Sequence, residues 1–126
     1  MTLLDESLAA ALSGTMSAET GWVRVCAASR LQPDRGLCAL IDGQQIALFR
    51  TSFDELFAVA NIDPISGANV ISRGIVGSIG GRPTVSSPMY KQRFDLATGT
   101  CLDDPEHRLQ TFAIRQMHDG IELLLS

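Results

Sequence analysis

Two polar loops carry the side chains with the clearest capacity for chemistry. The stretches "FAVANIDPISGA" (57–68) and "SSPMYKQRFDLATG" (86–99) each pass from an apolar, strand-like segment into a loop with a proline, about 25 residues apart. Their polar candidates are Asn61, Asp63, Ser87 and Tyr90. A hard cation such as Mg²⁺ or Ca²⁺ needs several oxygen ligands, and Asp63 is the only carboxylate of the four. These residues therefore predict no metal site.

A basic segment lies between the two loops. No acidic residue occurs between Asp63 and Asp95, and the basic residues of the segment are Arg73, Arg82, Lys91 and Arg93. In a chain of net charge −4, they predict a surface that docks onto an acidic partner or attracts an anion. The alternative is an uneven scatter of solvated charges. Lys91 is the leading candidate for contact with a partner, because it follows Tyr90 and is the only lysine.

The remaining reactive side chains predict no catalytic residue. Cys26 and Cys38 lie in alternating strand patterns and are expected to be buried, whereas Cys101 follows a Thr-Gly pair and is expected to be partly exposed. Three widely spaced cysteines without a Cys-x-x-Cys motif are typical of a reducing compartment. His107 lies in the acidic turn "DDPEHR", which is expected to be a solvated loop.

Length and composition limit the class of protein. With 126 residues, 45% of them hydrophobic, the chain predicts one globular domain with one core. The net charge of −4 argues against a general binder of nucleic acid or anionic membranes, since both need a dominant basic surface. No apolar run reaches 18 residues, and the N-terminus lacks the basic start of a signal peptide. We therefore expect a cytoplasmic protein.

Short strands must position the two loops. Apolar runs separated by turn residues begin at Trp22, and the predicted strands are 22–26, 37–41, 45–49, 56–60, 70–76, 84–86, 92–96, 111–117 and 121–125. Asp42-Gly43 and Asp119-Gly120 predict hairpin turns, because a type I′ turn needs positive φ at both central residues. The pattern indicates an all-β, antiparallel sandwich or barrel over residues 21–126.

The N-terminal 20 residues follow a different pattern. Leu4, Leu8 and Leu12 recur every four residues, which predicts a short helix that ends near Gly14. Such a helix is marginal alone, so a mobile tail is the alternative. Residues 13–20 are small and polar and are predicted to be a linker. Residues 1–20 are therefore predicted to be an extension, helical or mobile, that precedes a β domain at 21–126.

The two loops together resemble the cluster-binding loops of the Rieske domain. In that domain Cys-x-His and Cys-x-x-His hold an iron–sulfur cluster, and the second loop commonly continues to Phe-Asp and Thr-Gly. The resemblance places the four ligand positions on Asn61, Asp63, Ser87 and Tyr90. The framework is kept by Pro88, Phe94, Asp95, Thr98 and Gly99. Amide, hydroxyl and phenol groups cannot replace thiolates around iron and sulfide, so a Rieske-like fold without a cluster is implied.

The former ligand positions have two alternative roles. Ser87 and Tyr90 are predicted to donate hydrogen bonds to the first loop, so that a polar contact replaces the cluster. Asn61 and Asp63 could contact a partner or the facing loop. The alternative for this pair is a purely local role, since Asn and Asp are common turn formers and Asp63 precedes a proline.

The longer runs "NIDPISGANVISRGIVG" and "SPMYKQRFDLATGTCLDDP" resemble the small subunit of the assimilatory NAD(P)H-dependent nitrite reductase. The resemblance implies an accessory, non-catalytic role in the reduction of nitrite to ammonium, with no cofactor in this chain. It implies the large subunit as the partner, and flavin, an iron–sulfur cluster and sirohaem in that subunit. The alternative is a stand-alone β-sandwich that binds a small molecule or another partner, because fold does not determine function.

Overall fold

Short antiparallel strands make up most of the regular structure. The computed structural model describes residues 2–3, 15–16 and 21–125. Its strands are β1 Thr2–Leu3, β2 Thr15–Met16, β3 Trp22–Ala27, β4 Leu37–Ile41, β5 Gln44–Arg50, β6 Leu56–Ala60, β7 Ile75–Ile79, β8 Arg82–Ser86, β9 Arg93–Asp95, β10 Thr111–Met117 and β11 Gly120–Leu124. The described residues also contain two 3₁₀ segments, Ala28–Arg30 and Ile71–Arg73. The prediction of an all-β antiparallel fold is confirmed. Within these described ranges, no helix has the length and apolar character needed to cross a membrane.

The strands form two sheets. The larger sheet has the order β1-β4-β5-β6-β10-β11-β3-β2, and the smaller sheet has the order β7-β8-β9. β10 connects the two halves of the larger sheet, because Thr111 and Phe112 pair with β6 whereas residues 113–117 pair with β11. A strand that changes partner in this way makes a corner, which lets a sheet fold over on itself and enclose a core.

The core has two hydrophobic clusters that share β5. Side chains alternate between the two faces of a strand. Ile46 and Leu48 therefore belong to the cluster inside the larger sheet, whereas Ala47 and Phe49 belong to the cluster beneath the smaller sheet. All four are fully buried. The smaller sheet thus packs on β5, a central strand of the larger sheet. The loops that follow β6 and β8 therefore begin at the ends of well-packed strands.

One predicted hairpin turn is confirmed and one predicted strand is wrong. Asp42 and Gly43 connect β4 and β5 with φ of 51° and 80°, as a type I′ turn requires. The strand predicted at 70–76 is instead the 3₁₀ segment Ile71–Arg73 followed by β7. The buried Ile71 donates its N–H to the carbonyl of Asn61, and this contact with a distant loop bends the chain away from an extended course.

The second hairpin turn lies one residue earlier than predicted. Met117 pairs with Gly120, so His118 and Asp119 form the turn and His118 takes the positive φ of 57°. Gly120 lies in β11, where a Cβ atom would approach Nη1 of Arg24 to 2.6 Å. This glycine therefore provides space for a neighbouring side chain and not the freedom of a turn residue.

The described parts of the N-terminus belong to the larger sheet. β1 pairs with β4 at one edge, and β2 pairs with β3 at the other edge. The prediction of a linker at 13–20 is therefore wrong for residues 15–16. The predicted helix through Leu4, Leu8 and Leu12 lies outside the described residues.

Candidate functional site: two interlocked loops

Three six-residue turns, at 63–68, 87–92 and 95–100, share one hydrogen-bond pattern. In each turn the carbonyl of the first residue accepts the N–H four residues later, at 2.8, 2.9 and 2.7 Å respectively. Its own N–H donates to the carbonyl five residues later, at 2.8, 2.9 and 2.9 Å. A side-chain oxygen of the first residue accepts the N–H two residues later. The first residues are Asp63, Ser87 and Asp95, so turn formation explains why each is a short polar residue.

The fifth residue of each turn has a left-handed backbone. Gly67 and Gly99 have φ of 79° and 82°, and Lys91 has φ of 62°. A left-handed conformation costs an L-residue roughly 1–2 kcal/mol, whereas glycine adopts it without strain. Lys91 thus occupies a position that the two sister turns give to glycine.

Replacement of Lys91 by glycine is expected to raise the free energy of unfolding by about 0.5–1 kcal/mol. The relief of left-handed strain is partly offset by the greater freedom of glycine in the unfolded chain. Urea denaturation of both proteins measures the difference. Gly67→Lys, which creates the same strain in a sister turn where an added Cβ atom meets nothing within 4 Å, is the opposite control and should destabilise. A clear loss of stability in Lys91→Gly would contradict the expected strain.

The carboxylate of Asp63 joins the two loops. Asp63 is fully buried, and its Oδ2 accepts a hydrogen bond from Ser87 Oγ at 2.5 Å. Gln92 Nε2 lies 2.9 Å from both carboxylate oxygens. Oδ1 also accepts the N–H groups of Ile65 and Ser66, at 2.8 and 3.2 Å. Two former ligand positions on opposite loops are therefore bonded directly to each other.

These donors keep Asp63 ionised. Burial by itself raises the pKa of a carboxyl group, but the hydrogen bonds from Ser87, from two backbone N–H groups and from Gln92 outweigh it, so the pKa of Asp63 lies below its usual value. No cation pairs with this carboxylate in the described part of the chain. The charge is stabilised by oriented dipoles alone, which makes each donor important.

Asn61 fastens the first loop to the body of the domain. It is 2% exposed, and its Oδ1 accepts the N–H of Ser72 at 2.7 Å. Its Nδ2 donates to Gln45 Oε1 at 3.0 Å and lies 3.5 Å from Cys38 Sγ. Its carbonyl accepts the N–H of Ile71. Asn61 is thus a structural residue whose contacts extend well beyond its own turn.

The fourth former ligand position faces solvent. Tyr90 is 64% exposed, and its side chain makes no hydrogen bond with the described residues. The predicted bond across the loops is therefore confirmed for Ser87 and wrong for Tyr90. Among the residues that the structure describes, five of the seven exposed large hydrophobic side chains lie on or beside the two loops. With Lys91 they form a surface, here called the loop tip, of Ile62, Ile65, Ile75, Met89, Tyr90 and Lys91.

The structure separates the four basic residues. Arg82 begins β8 at the hairpin end of the smaller sheet, opposite the loop tip, and pairs with the buried Asp95. Arg93 holds Asp103 through two contacts, Nη2 to Oδ1 at 2.7 Å and Nε to Oδ2 at 3.1 Å. This bidentate contact lowers the pKa of Asp103 to about 2. Both arginines therefore already have acidic partners within the chain.

Arg73 and Lys91 differ from the other two. Both are exposed, and neither makes a side-chain hydrogen bond or ion pair with any residue that the structure describes. Arg73 ends the 3₁₀ segment beside the first loop, and Lys91 lies in the second loop. Their charges are available to another molecule.

The residues at the loops do not fit a Rieske cluster. Asp63 and Ser87 lie in hydrogen-bond contact where a cluster would have to separate them, and Tyr90 faces away. Neither histidine lies in the loops. Among the described residues, no three side chains of His, Cys, Asp or Glu lie close enough to hold a metal ion. The two loops, 57–68 and 86–99, therefore offer no thiolate or imidazole ligand.

The sequence did not identify Gln92 as a residue of the site, and the exposure expected for Cys101 was wrong. Gln92 is 6% exposed and contacts Asp63. It lies two residues before the buried Phe94, and side chains two residues apart on a strand face the same side. This spacing is the signal that could have identified Gln92. Cys101 is 1% exposed, so the expectation of partial exposure is wrong. The burial predicted for Cys26 is confirmed, and that burial raises the pKa of its thiol to about 11.

The fold and the two loops together define the class of domain to which the chain belongs. Residues 21–124 match the family model described as Rieske-like [2Fe-2S] domain, and the chain belongs to that family. The nitrite reductase (NADH) small subunit of Salmonella typhimurium is 39% identical over 101 residues, which cover 79% of this chain and 93% of that protein. Within the class, the chain belongs to the family of NADH nitrite reductase small subunits, and the resemblance seen in the sequence is confirmed.

Two further relatives bear on structure and partner. The solution NMR structure of a nitrite reductase NAD(P)H small subunit from Erwinia carotovora is 34% identical with a TM-score of 0.73, covering 85% of this chain and 83% of that one. A nitrite reductase NAD(P)H large subunit of Klebsiella oxytoca is 38% identical over 94 residues, which cover 75% of this chain and 10% of that protein. The same domain thus resembles a segment within a large-subunit chain.

Proposed function

We propose that this chain is the accessory small subunit of an NAD(P)H-dependent nitrite reductase and acts by docking its loop tip on the large subunit. The observation that carries the proposal is the Asp63–Ser87 contact, which holds the two loops together without a metal. The loops then present a preformed surface and no redox centre. Flavin, an iron–sulfur cluster and sirohaem in the large subunit would carry the reduction of nitrite to ammonium, as the family resemblance implies.

The Klebsiella oxytoca relative supports a large-subunit partner. In a longer chain that contains such a domain, the covalent link holds the domain beside the rest of the chain at a high effective concentration. A separate small subunit must instead provide its own binding surface. The loop tip has the composition for this role, because exposed aromatic and Met side chains are enriched at interfaces. A lysine beside them can guide association with an acidic surface. We place this association in the cytoplasm, because three widely spaced cysteines without a Cys-x-x-Cys motif are typical of a reducing compartment.

Copurification tests the proposal. The large subunit is coexpressed with the tagged small chain, and the complex is expected to survive affinity purification and gel filtration. The large subunit expressed alone should show lower NAD(P)H-dependent nitrite reduction, which added small chain restores. A stand-alone binding module predicts neither result. Equal activity with and without this chain, together with no copurification, would overturn the proposal.

A further inference from the structure

A small polar cavity lies beside the first loop. Its volume is about 160 Å³, and its lining includes Cys38, Gln45, Asn61, Asn69, Ser72 and Arg73. Sites for organic cofactors and drug-sized ligands have volumes of about 300–1,000 Å³, so this cavity is too small for a flavin or a nicotinamide. It suits an ion of a few atoms.

The charge of the lining favours an anion. Among the described residues of the lining, Arg73 is the only cation and none is a carboxylate. Within the part of the chain that the structure describes, no acidic side chain pairs with Arg73. A guanidinium offers a planar fork of N–H donors that matches two oxygens of one ligand.

The neutral groups of the lining offer donors as well. Gln45 Oε1 already accepts a hydrogen bond from Asn61, which leaves the Gln45 amide N–H groups without an acceptor among the described residues. The Asn69 amide is likewise exposed and makes no side-chain hydrogen bond there. Asn61 Oδ1, the acceptor that would repel an anion, is occupied by the N–H of Ser72. Two amide oxygens of the lining, Gln45 Oε1 and Asn61 Oδ1, are therefore satisfied, whereas the N–H groups of the Gln45 and Asn69 amides have no acceptor among the described residues.

The walls of the cavity are rigid. A Cβ atom on Gly36 would lie 2.0 Å from the carbonyl oxygen of Ser72, so the chain at Gly36 packs directly on the segment that carries Arg73. Asn61 ties the same segment to β5 through Gln45. A site built on such contacts needs little reorganisation when a ligand binds.

We propose that this cavity, the Arg73 cavity, binds a small planar oxyanion of the size of nitrite, nitrate or formate. The Arg73 fork binds two oxygens, and the Gln45 and Asn69 amides complete the donor set. The inference goes beyond the accessory role and does not depend on it, because the anion binds to this chain alone.

Titration of the full-length, ¹⁵N-labelled chain with sodium nitrite, followed by NMR, tests the site. Saturable shifts are expected at the Gln45 and Asn69 side-chain amides and at the backbone of Ser72 and Arg73. Sodium formate should shift the same signals. Sodium chloride at equal ionic strength should not saturate them, because chloride cannot bridge the fork.

Variants separate the site from a general effect of charge. Arg73→Ala is expected to weaken nitrite binding at least tenfold, and Arg73→Lys, which keeps the charge without the fork, several-fold. Arg24→Ala removes an equal charge from a surface pair with Asp119 and should change binding less than twofold. The amide spectrum of each variant reports whether it is folded. Unchanged binding in folded Arg73→Ala, or equal saturation by chloride, would overturn the proposal.

Discussion

Replacement of Asp63 by alanine is expected to lower the free energy of unfolding by about 3–5 kcal/mol. The variant leaves the buried Ser87 hydroxyl and Gln92 amide without their acceptor, and each orphaned buried group costs about 1–3 kcal/mol before relaxation. Two partly buried backbone N–H groups lose the same acceptor. The turn at 63–68 also loses its side-chain bonds. Urea denaturation followed by the fluorescence of Trp22 measures the loss. A change below about 1 kcal/mol would contradict the central role of this carboxylate.

Asp63→Asn is the matched control. Asn keeps one carbonyl oxygen for the N–H groups of Ile65 and Ser66, but its amide N–H₂ replaces the oxygen that faces Ser87 and Gln92. In the native protein Gln92 Oε1 is buried without a hydrogen-bond partner among the described residues. Rotation of the Gln92 amide would bring this oxygen to the new donor. We therefore expect Asp63→Asn to cost only about 1–2 kcal/mol.

The pH dependence of stability gives a second measure of the same residue. Because its pKa is lower in the folded than in the unfolded chain, Asp63 stabilises the fold above about pH 4, and this contribution is lost as pH falls through the folded pKa. Asp63→Asn should therefore lose stability less steeply than the native chain as the pH falls below about 4. An equal slope in both proteins would show that Asp63 titrates normally.

Local patterns predicted the strands and one turn well, whereas non-local contacts decided the errors. Asp42-Gly43 forms the expected turn because its conformation depends on those two residues alone. Gly120 lies in a strand because of Arg24 on a neighbouring strand, which no short pattern reveals. The 3₁₀ segment at Ile71 likewise depends on a carbonyl in the first loop. Resemblance predicted the family, since it draws on many positions at once.

The candidate site was predicted in outline and not in its contacts. The structure brings Asp63 and Ser87 together, yet Tyr90 faces solvent while the side chain of Gln92, two residues later, points inward to Asp63. The turn at 87–92 has a left-handed fifth residue, Lys91, and reverses the direction of the chain. The alternation of a strand therefore does not continue from Gln92 back to Tyr90, and it cannot predict that Tyr90 faces solvent. The separation of Arg82 from the other basic residues also needs the strand register, in which Arg82 pairs with Ile79 at the far end of β8.

Substitution of Tyr90 by alanine is expected to weaken association with the large subunit by about thirtyfold or more, without loss of stability. An exposed tyrosine at the centre of an interface commonly contributes about 2 kcal/mol or more to binding. Its side chain contacts solvent and supports no buried hydrogen bond, so the fold does not depend on it. Calorimetry or surface binding with the purified large subunit measures the affinity. Phe53→Ala is the matched control, because Phe53 is 86% exposed and lies outside the loop tip.

Lys91 separates the electrostatic part of docking from the shape of the loop. Lys91→Glu is expected to slow association and to weaken binding about tenfold at low salt, with a smaller effect at high salt, since exposed charges are screened. Lys91→Gly removes the charge while it relieves the left-handed strain, so it should bind more weakly although it is more stable. A lysine kept in a strained position is understandable if its charge is used elsewhere, as strain is commonly retained where it serves a site. If Phe53→Ala weakens binding as much as Tyr90→Ala, or if neither Lys91 variant changes it, the large subunit meets another face of the domain.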